Sequence, residues 1–250
     1  MFFSTFFYIA TSFVFAACVP MKKCNTDQTT RIADYLIQNT LGGADGFTGS
    51  QCLAVDSSET DPISFGASWS WDYSDAGKHT VKSYSNAVRL QDAPIPVTKI
   101  TSMPSSWSWE YSGEGVVADV TYDLLFSPTP KPAQHQDNLF EIMIWLGQLG
   151  DMFPLSYPGS VAEHVTVAGR SWLLYRGIIN TNQNVISFIR MDGDIKDYQA
   201  DINEFVKHCI DKEHLPTDYY MLAIGGGSEA VTGKNAYFQT KSYSVKINQG

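Results

Sequence analysis

The sequence has 250 residues, of which 44% are hydrophobic and only 17% charged, and its formal net charge is −9. This composition argues against intrinsic disorder and predicts a single folded domain with a sizeable core. An acidic chain does not attract nucleic acid or anionic lipid, so we expect neither as a partner, whereas a neutral polysaccharide ligand is compatible with it.

The chain begins with an apolar, uncharged segment that extends up to Lys22. This segment is short for a transmembrane helix, and the small residues Ala16 and Ala17 provide a cleavage point for a signal peptide. The alternative is an N-terminal membrane anchor. The short length of the segment disfavours an anchor, but the segment also lacks the basic start of a typical signal peptide. We therefore predict a signal peptide at residues 1–17 and a secreted, monomeric mature chain at residues 18–250.

The four cysteines are Cys18, Cys24, Cys52 and Cys209. Export makes disulfides possible, and we predict that Cys24 pairs with Cys52 across a polar, Gly-rich stretch. Closing a loop of this length contributes about 3 kcal/mol in the chain-entropy model. Cys18 is either the first mature residue or removed, and Cys209 is expected to be a small buried hydrophobe.

Most of the chain shows β-branched and aromatic residues alternating with small polar ones, punctuated by Gly, Pro, Asn and Asp. Strands at this density, without helices between them, predict an all-β sandwich or barrel rather than a parallel α/β fold. The predicted strands are Ile63–Asp72, Thr80–Leu90, Ser106–Tyr111, Val116–Phe126, Leu139–Leu146, His164–Val167, Ser171–Arg176, Asn184–Met191, Tyr219–Ile224 and Ala236–Ile247.

One segment has helical periodicity, between Asp192 and Pro216. Its apolar residues recur near every 3.6 positions, its first turn is acidic, and Pro216 ends it. We predict one amphipathic helix that covers the outside of a sheet. The apolar positions are Ile195, Tyr198, Ile202, Phe205, Val206, Cys209 and Ile210.

The run "NLFEIMIWLG" places one carboxylate, Glu141, inside an apolar strand. Side chains alternate faces along a strand, so Glu141, Met143 and Trp145 share the face opposite the core residues. A Met and a Trp beside a Glu suggest the floor of a cleft. The alternative is a half-exposed Glu with apolar neighbours by chance, and the pattern alone does not decide between them.

Two further acids could act with it. Glu229 follows three glycines in "GGGSEAVTG", which lacks the GK[ST] of a phosphate-binding loop, and composition alone favours a surface-loop position for it. Asp123 in "VTYDLLF" shares a strand face with Asp119 and Thr121, where it is either solvated or a neighbour of Glu141. Two acids on facing walls of a cleft are what glycoside hydrolysis needs.

Six aromatic residues could form a platform on which sugar rings stack, although buried area is the more common role of tryptophan and must apply to several of them. They are Trp69, Trp71, Trp107, Trp109, Trp145 and Tyr84. The five His residues are scattered without zinc-ligand spacing, and "DGD" at Asp192 lacks the rest of a calcium loop. We therefore expect no metal and no cofactor.

Several ordered motifs together resemble glycoside hydrolase family 12, whose members are secreted endoglucanases and xyloglucanases with a β-jelly-roll fold. The motifs that carry the resemblance are "VKSYSNA", "WSWEYSGEGVVADVTYDLL", "FEIMIWLG", "VAGRSWLLYRG", "VISFIR" and "GSEAVTG", and the spacing of Cys24 and Cys52 is similar to the family's disulfide. The resemblance implies an antiparallel jelly-roll sandwich that forms the catalytic domain, and a retaining mechanism on a β-1,4-glucan or xyloglucan.

The resemblance also implies a role for each residue of the motifs. Glu141 matches the nucleophile, Glu229 matches the general acid/base, and Asp123 matches the acid that supports the nucleophile. Met143 and Trp145 match residues beside it in the cleft. Among the platform candidates, Trp69 and Trp71 are the ones we expect to bind substrate.

The sequence also departs from the family pattern. A Trp is usual near the position of Asp27, and an Asn-Leu-Trp run is usual where this chain has Thr40, Leu41 and Gly42. Similarly, "GSEAV" replaces the more usual "GTEPF", and Phe65-Gly66 replaces a common Trp-His pair. These changes predict weaker glucan binding or a different substrate. They also leave a second hypothesis, a catalytically weak protein of the same fold that binds glucan or an inhibitor.

Overall fold

The computed structural model describes residues 21–24, 28–55, 60–73, 80–131, 138–179 and 182–250. The predicted signal peptide, Cys18 and Asp27 lie outside these ranges. Within them, no helix combines the length and the apolar composition that crossing a membrane requires.

Strands dominate this part of the chain, with one α-helix, α1, at Asn203–Lys212. The strands are β1 (Met21–Lys23), β2 (Gln28–Ile32), β3 (Tyr35–Thr40), β4 (Gly49–Val55), β5 (Ile63–Trp71), β6 (Ser83–Arg89), β7 (Ile95–Pro96), β8 (Ile100–Ser102), β9 (Pro104–Ser127), β10 (Phe140–Leu149), β11 (Glu163–Val167), β12 (Arg170–Ile179), β13 (Gln183–Arg190), β14 (Asp197–Asp201), β15 (Tyr220–Val245) and β16 (Asn248–Gln249).

Two long strands, β9 and β15, run through both layers of a β-sandwich. The first half of β15 pairs with β6 and with the second half of β9, and its second half pairs with β5 and with the first half of β9. The inner sheet therefore has the order β2-β3-β6-β15-β9-β10-β13-β12-β11, and the outer sheet the order β1-β4-β5-β15-β9-β14. Trp107 and Tyr122, from the two halves of β9, meet in the core with ring centroids 4.9 Å apart.

The predicted all-β sandwich is confirmed, with one refinement to its antiparallel character. Among the described residues, β10 and β13 form the one parallel pair. The chain leaves β10, forms β11 and β12 at the sheet edge, and returns as β13 beside β10 in the same direction.

The predicted strand breaks inside β9 and β15 are wrong. The segments Ser106–Tyr111 and Val116–Phe126 belong to one strand, in which Gly113 and Gly115 have positive φ and let the chain bend between layers. The "GGGSEAVTG" segment is likewise strand, not loop, because it pairs with β6 and β9 on both sides. Sequence patterns also missed β2, β3 and β4, whose polar and Gly-rich composition hides their pairing.

The helix is shorter than its periodicity predicts, because α1 covers only Asn203–Lys212 of the segment between Asp192 and Pro216. Residues 197–201 form β14 at the edge of the outer sheet, and Tyr198 is buried as a strand residue. The Asp201 carboxylate accepts the N–H of Asn203 at 3.0 Å, where the helix begins. Phe205 packs on Trp172 and Phe188 of the inner sheet. Through Phe205, helix α1 packs against strands β12 and β13 of the inner sheet.

Both cysteine predictions that the described residues test are confirmed. Cys24 and Cys52 form a disulfide between the segment after β1 and strand β4. Cys209 is a free, fully buried cysteine on the core side of α1.

Candidate active site

The outward face of the inner sheet carries the carboxylates that the sequence singles out. On β10, Phe140, Ile142, Ile144 and Leu146 belong to the main core, whereas Met143 and Trp145 belong to a separate cluster with Val185, Ile189, Val231 and Met152. Glu141 lies on this second face and is half-buried. The alternation predicted for "FEIMIWLG" is therefore confirmed.

Strand register brings the other acids to the same face. Asp123 lies on β9 directly opposite Met143 of β10 and opposite Gly225 of β15. Glu229 lies four residues further along β15 and contacts Asp119 of β9, whose carboxylate oxygen Oδ1 accepts the Glu229 backbone N–H at 2.9 Å. Strand β9 thus lies between the two Glu-bearing strands and contributes one Asp to each.

The three glycines before Glu229 allow close packing on both faces of β15. A Cβ on Gly227 would lie 2.2 Å from the Ser85 carbonyl oxygen of β6, and one on Gly226 would lie 3.1 Å from the Trp107 ring. Glycine is therefore required for the strand to fit between its neighbours. The run positions Glu229, and no phosphate cradle is formed.

Glu141 has two hydrogen-bond partners that favour its ionised form. The amide of Gln183, on the neighbouring strand β13, donates to Glu141 Oε2 at 2.5 Å, and the Asp123 side chain also hydrogen-bonds the Glu141 carboxylate. Burial raises the pKa of Glu141, and these two hydrogen bonds act against that rise.

Asp123 holds the proton of this pair. Burial, together with the charges of Glu141 and Glu229, raises the pKa of Asp123 well above its usual range. These effects favour a proton on Asp123, from which it can be donated to the Glu141 carboxylate. The shared proton leaves Glu141 with the negative charge that a nucleophile needs.

The surroundings of Glu229 have the opposite effect, because they favour its protonated form. Burial raises its pKa well above the usual range, and the charges of Asp119 and Glu141 and a hydrogen bond to the Asp119 side chain raise it further. These effects favour the carboxylic acid form of Glu229 over the carboxylate. One ionised and one protonated carboxyl group on one face can supply a nucleophile and a proton donor, as glycoside hydrolysis requires.

All four predicted substrate-binding residues are buried, but Trp69 and Trp71 belong to the main core, whereas Met143 and Trp145 belong to the second cluster on the active-site face. Trp69 and Trp71 are each 3% exposed, and their indole N–H groups donate to Tyr111 Oη and Ser83 Oγ. Both rings pack in the main core, and Trp71 also lines a surface pocket with Tyr73 and Glu114. Tyr111 in turn contacts Ser228 Oγ at 3.1 Å, so Trp69 supports the strand segment that carries Glu229.

The other aromatic candidates divide between core and cleft. Trp107 and Trp109 are fully buried in the main core. Trp145 and Met143 line the active-site face, and the Trp145 indole Nε1 has no partner among the described residues. Tyr84 lies opposite Glu229 on β6, where burial and the charges of Asp123, Glu229 and Asp119 raise its pKa.

Sequence reasoning missed two members of this site. Gln183 gives no signal by itself, since an amide at the start of a strand is common. Asp119 was placed on the correct strand face but was given no role. Aspartate is depleted in β-strands in general, so the i, i+4 spacing of Asp119 and Asp123 on one strand face could have identified it. In the described part of the chain, no group of three or more His, Cys, Asp or Glu residues is arranged to hold a metal ion.

Comparisons with known proteins agree on one family. Residues 33–248 match the family model of glycosyl hydrolase family 12. A xyloglucan-specific endo-beta-1,4-glucanase A from Aspergillus aculeatus is 37% identical over 224 residues, which are 90% of each chain. Among solved structures, endoglucanase 3 of Trichoderma harzianum has a TM-score of 0.83 and 29% identity, covering 93% of this chain and 100% of that one. The catalytic domain of Humicola grisea Cel12A, in complex with a thio cellotetraose, has a TM-score of 0.83 and 27% identity, covering 91% and 99%.

Proposed function

The chain belongs to glycosyl hydrolase family 12, and on that premise we propose that it hydrolyses internal β-1,4-glucosidic bonds of a cellulose-like glucan or xyloglucan with retention of configuration. The observation that carries the proposal is the pair of opposed carboxyl groups on the active-site face. The hydrogen bonds from Gln183 and Asp123 favour the ionised form of Glu141, and burial beside Asp119 favours the protonated form of Glu229.

In the first step, the Glu141 carboxylate attacks the anomeric carbon while Glu229 gives its proton to the leaving glycosidic oxygen. The bond to the leaving sugar breaks, and a glycosyl–Glu141 ester forms. In the second step, Glu229, now a carboxylate, takes a proton from water as that water attacks the anomeric carbon and releases Glu141. Two inversions at one carbon give net retention.

We propose xyloglucan as the preferred polysaccharide. The support is the xyloglucan-specific name of the Aspergillus aculeatus relative, which is 37% identical over 90% of both chains. The edge of the cleft at Gly42 is also compatible with a branched chain, since no atom of the described residues lies within 4 Å of the position that a Cβ would take there.

We also propose that the protein acts outside the cell, as a monomer. The support is the apolar first segment of the sequence and the Cys24–Cys52 disulfide, which persists in oxidising compartments.

The test is a depolymerisation screen of the wild type, Glu141→Gln and Glu229→Ala on xyloglucan, mixed-linkage glucan and carboxymethylcellulose. We expect wild-type viscosity to fall faster than reducing ends appear, as for internal cleavage, and each variant to lose roughly 100-fold or more in rate. The matched control is Glu110→Gln, which removes an exposed carboxylate of β9 paired with Lys241. Wild-type rates in Glu141→Gln would overturn the proposal.

None of the relatives favours the alternative of a binding-only protein. That alternative predicts no cleavage of any of the three glucans by the wild type, so the same screen separates the two.

A further inference from the structure

Asp119 is a buried carboxyl group that the mechanism above does not use. It lies on β9 with an exposed fraction of 0%, facing the same side of the sheet as Asp123. Its Oδ1 accepts the backbone N–H of Glu229 at 2.9 Å. Its Oδ2 has no donor from an N–H or hydroxyl group in the described part of the chain.

An unsatisfied carboxylate oxygen in a buried position is costly, so a donor is required. The neighbouring group that carries a titratable proton is the Glu229 carboxyl, and the two side chains share a hydrogen bond. The Glu229 O–H therefore donates to Asp119. This is the reverse of the other pair, in which Asp123 donates to the glutamate.

We propose that Asp119 is a positioning residue for the general acid/base: its carboxylate fixes the orientation of the Glu229 carboxyl through the backbone N–H and the side-chain hydrogen bond, and keeps its proton on it. The inference rests on the function proposed above. In the second step, the charge of Asp119 beside the Glu229 carboxylate makes that carboxylate a stronger base toward water.

The groups facing this pair from each adjoining strand support the assignment. Asp123 of β9 and Glu141 of β10 carry the other acidic side chains, and Tyr84 of β6 lies opposite Glu229. The Lys82 ammonium donates to the carbonyl of Val231, two residues beyond Glu229.

The titration of this pair follows from these contacts. Burial raises the pKa of Asp119 to about 7, while two hydrogen bonds from Glu229 limit the rise. Once Asp119 is ionised, its charge opposes loss of the second proton, which remains on Glu229 to higher pH.

The test is Asp119→Asn, which keeps an oxygen for the Glu229 N–H but has no charge and no second acceptor for the Glu229 proton. Without the charge, the pKa of Glu229 falls. We expect the basic limb of kcat/KM on xyloglucan to move to lower pH by roughly one unit or more. We also expect kcat to fall about 10-fold or more, with a much smaller loss on a 2,4-dinitrophenyl cellobioside, whose leaving group needs little protonation.

Glu110→Gln, on the outer-sheet half of the same strand, is the matched control and should leave the limb in place. A basic limb in Asp119→Asn that coincides with that of the wild type would overturn the inference. A wild type inactive on every glucan would instead overturn the proposed function. If Asp119→Asn does not fold, a carbon-13 NMR titration of wild-type carboxyl groups decides. A two-step, shared titration of Asp119 and Glu229 supports the inference, and independent single steps contradict it.

Discussion

Glu141 and Glu229 are the same residue type on the same face, and their neighbours give them opposite protonation states. Each is paired with an aspartate of β9, but the surroundings favour a proton on Asp123 in one pair and on Glu229 in the other. An amide, Gln183, is the further difference, since it donates only to Glu141. Roles that look symmetrical in sequence are therefore separated by hydrogen-bond donors.

The hydrogen bond from Gln183 to Glu141 should affect the pH dependence of activity. In Gln183→Ala the Glu141 carboxylate loses a donor that lowers its pKa, so the pKa of Glu141 rises. The nucleophile must be ionised. As the pH is lowered, activity should therefore begin to fall at a higher pH in the variant than in the wild type. We expect the acidic limb of kcat/KM to move up by roughly half a unit to one unit.

The matched control is Asn184→Ala, an exposed neighbour on the same strand whose side chain lies on the opposite face. The measurement is the pH profile of kcat/KM for both variants. An acidic limb that moves equally in both, or in neither, would mean that Gln183 does not hold the nucleophile.

At the scale of strands, the alternation of "FEIMIWLG" was sufficient to predict which residues of β10 face the cleft. The alternation of β5 could also have shown that Trp69 and Trp71 face inward, because they share a face with the apolar residues Ile63, Phe65 and Ala67 while serines occupy most of the other face. The glycines before Glu229 were misread as a loop for a different reason. Glycine marks turns and close strand contacts alike, and only the neighbours Ser85 and Trp107 decide between them.

Gly42, just after β3, occupies a position where the family usually has a tryptophan that can stack on sugar. Thr40 of β3 is aligned with Tyr84 of β6 and through it with Glu229, so Gly42 lies at the edge of the same face. In the described part of the chain, a Cβ at Gly42 would meet nothing within 4 Å, whereas one at Gly43 would overlap the Val81 carbonyl oxygen. A larger side chain fits at the first glycine and not at the second.

We expect Gly42→Trp to restore a stacking surface and to lower KM on mixed-linkage glucan about 3-fold to 10-fold, in keeping with about 1 kcal/mol for an aromatic contact. Gly42→Ala is the control, because it changes the backbone freedom without adding a ring. Equal KM values for the Trp and Ala variants would show that this edge does not hold sugar.

For the whole molecule, the sandwich depends on two strands that pass through both layers and on one covalent link near the N-terminus. Composition and strand density were enough to predict an all-β fold, but the continuity of β9 and β15 depends on long-range pairing that no local pattern encodes. The same holds for α1, whose periodicity extended into β14 because Tyr198 is buried in either conformation.

The Cys24–Cys52 disulfide closes a loop between positions 28 residues apart. Replacing both cysteines by serine should reduce the free energy of unfolding by about 3 kcal/mol. This corresponds to a fall in Tm of roughly 6–12 °C for a chain of this size. Calorimetry with and without reductant measures it, and the double variant should not respond to reductant. A wild type whose Tm is the same in both conditions would contradict the prediction.

The central claim is that Glu141 forms the covalent bond to the sugar. The direct measurement is labelling with a 2-deoxy-2-fluoro-β-cellotriosyl fluoride, whose electronegative fluorine slows breakdown of the ester, followed by proteolysis and mass spectrometry of the labelled peptide. We predict one adduct per chain, on Glu141 in the peptide that contains "NLFEIMIWLG". A label on any other carboxylate, or no adduct on a preparation that cleaves glucan, would contradict the account.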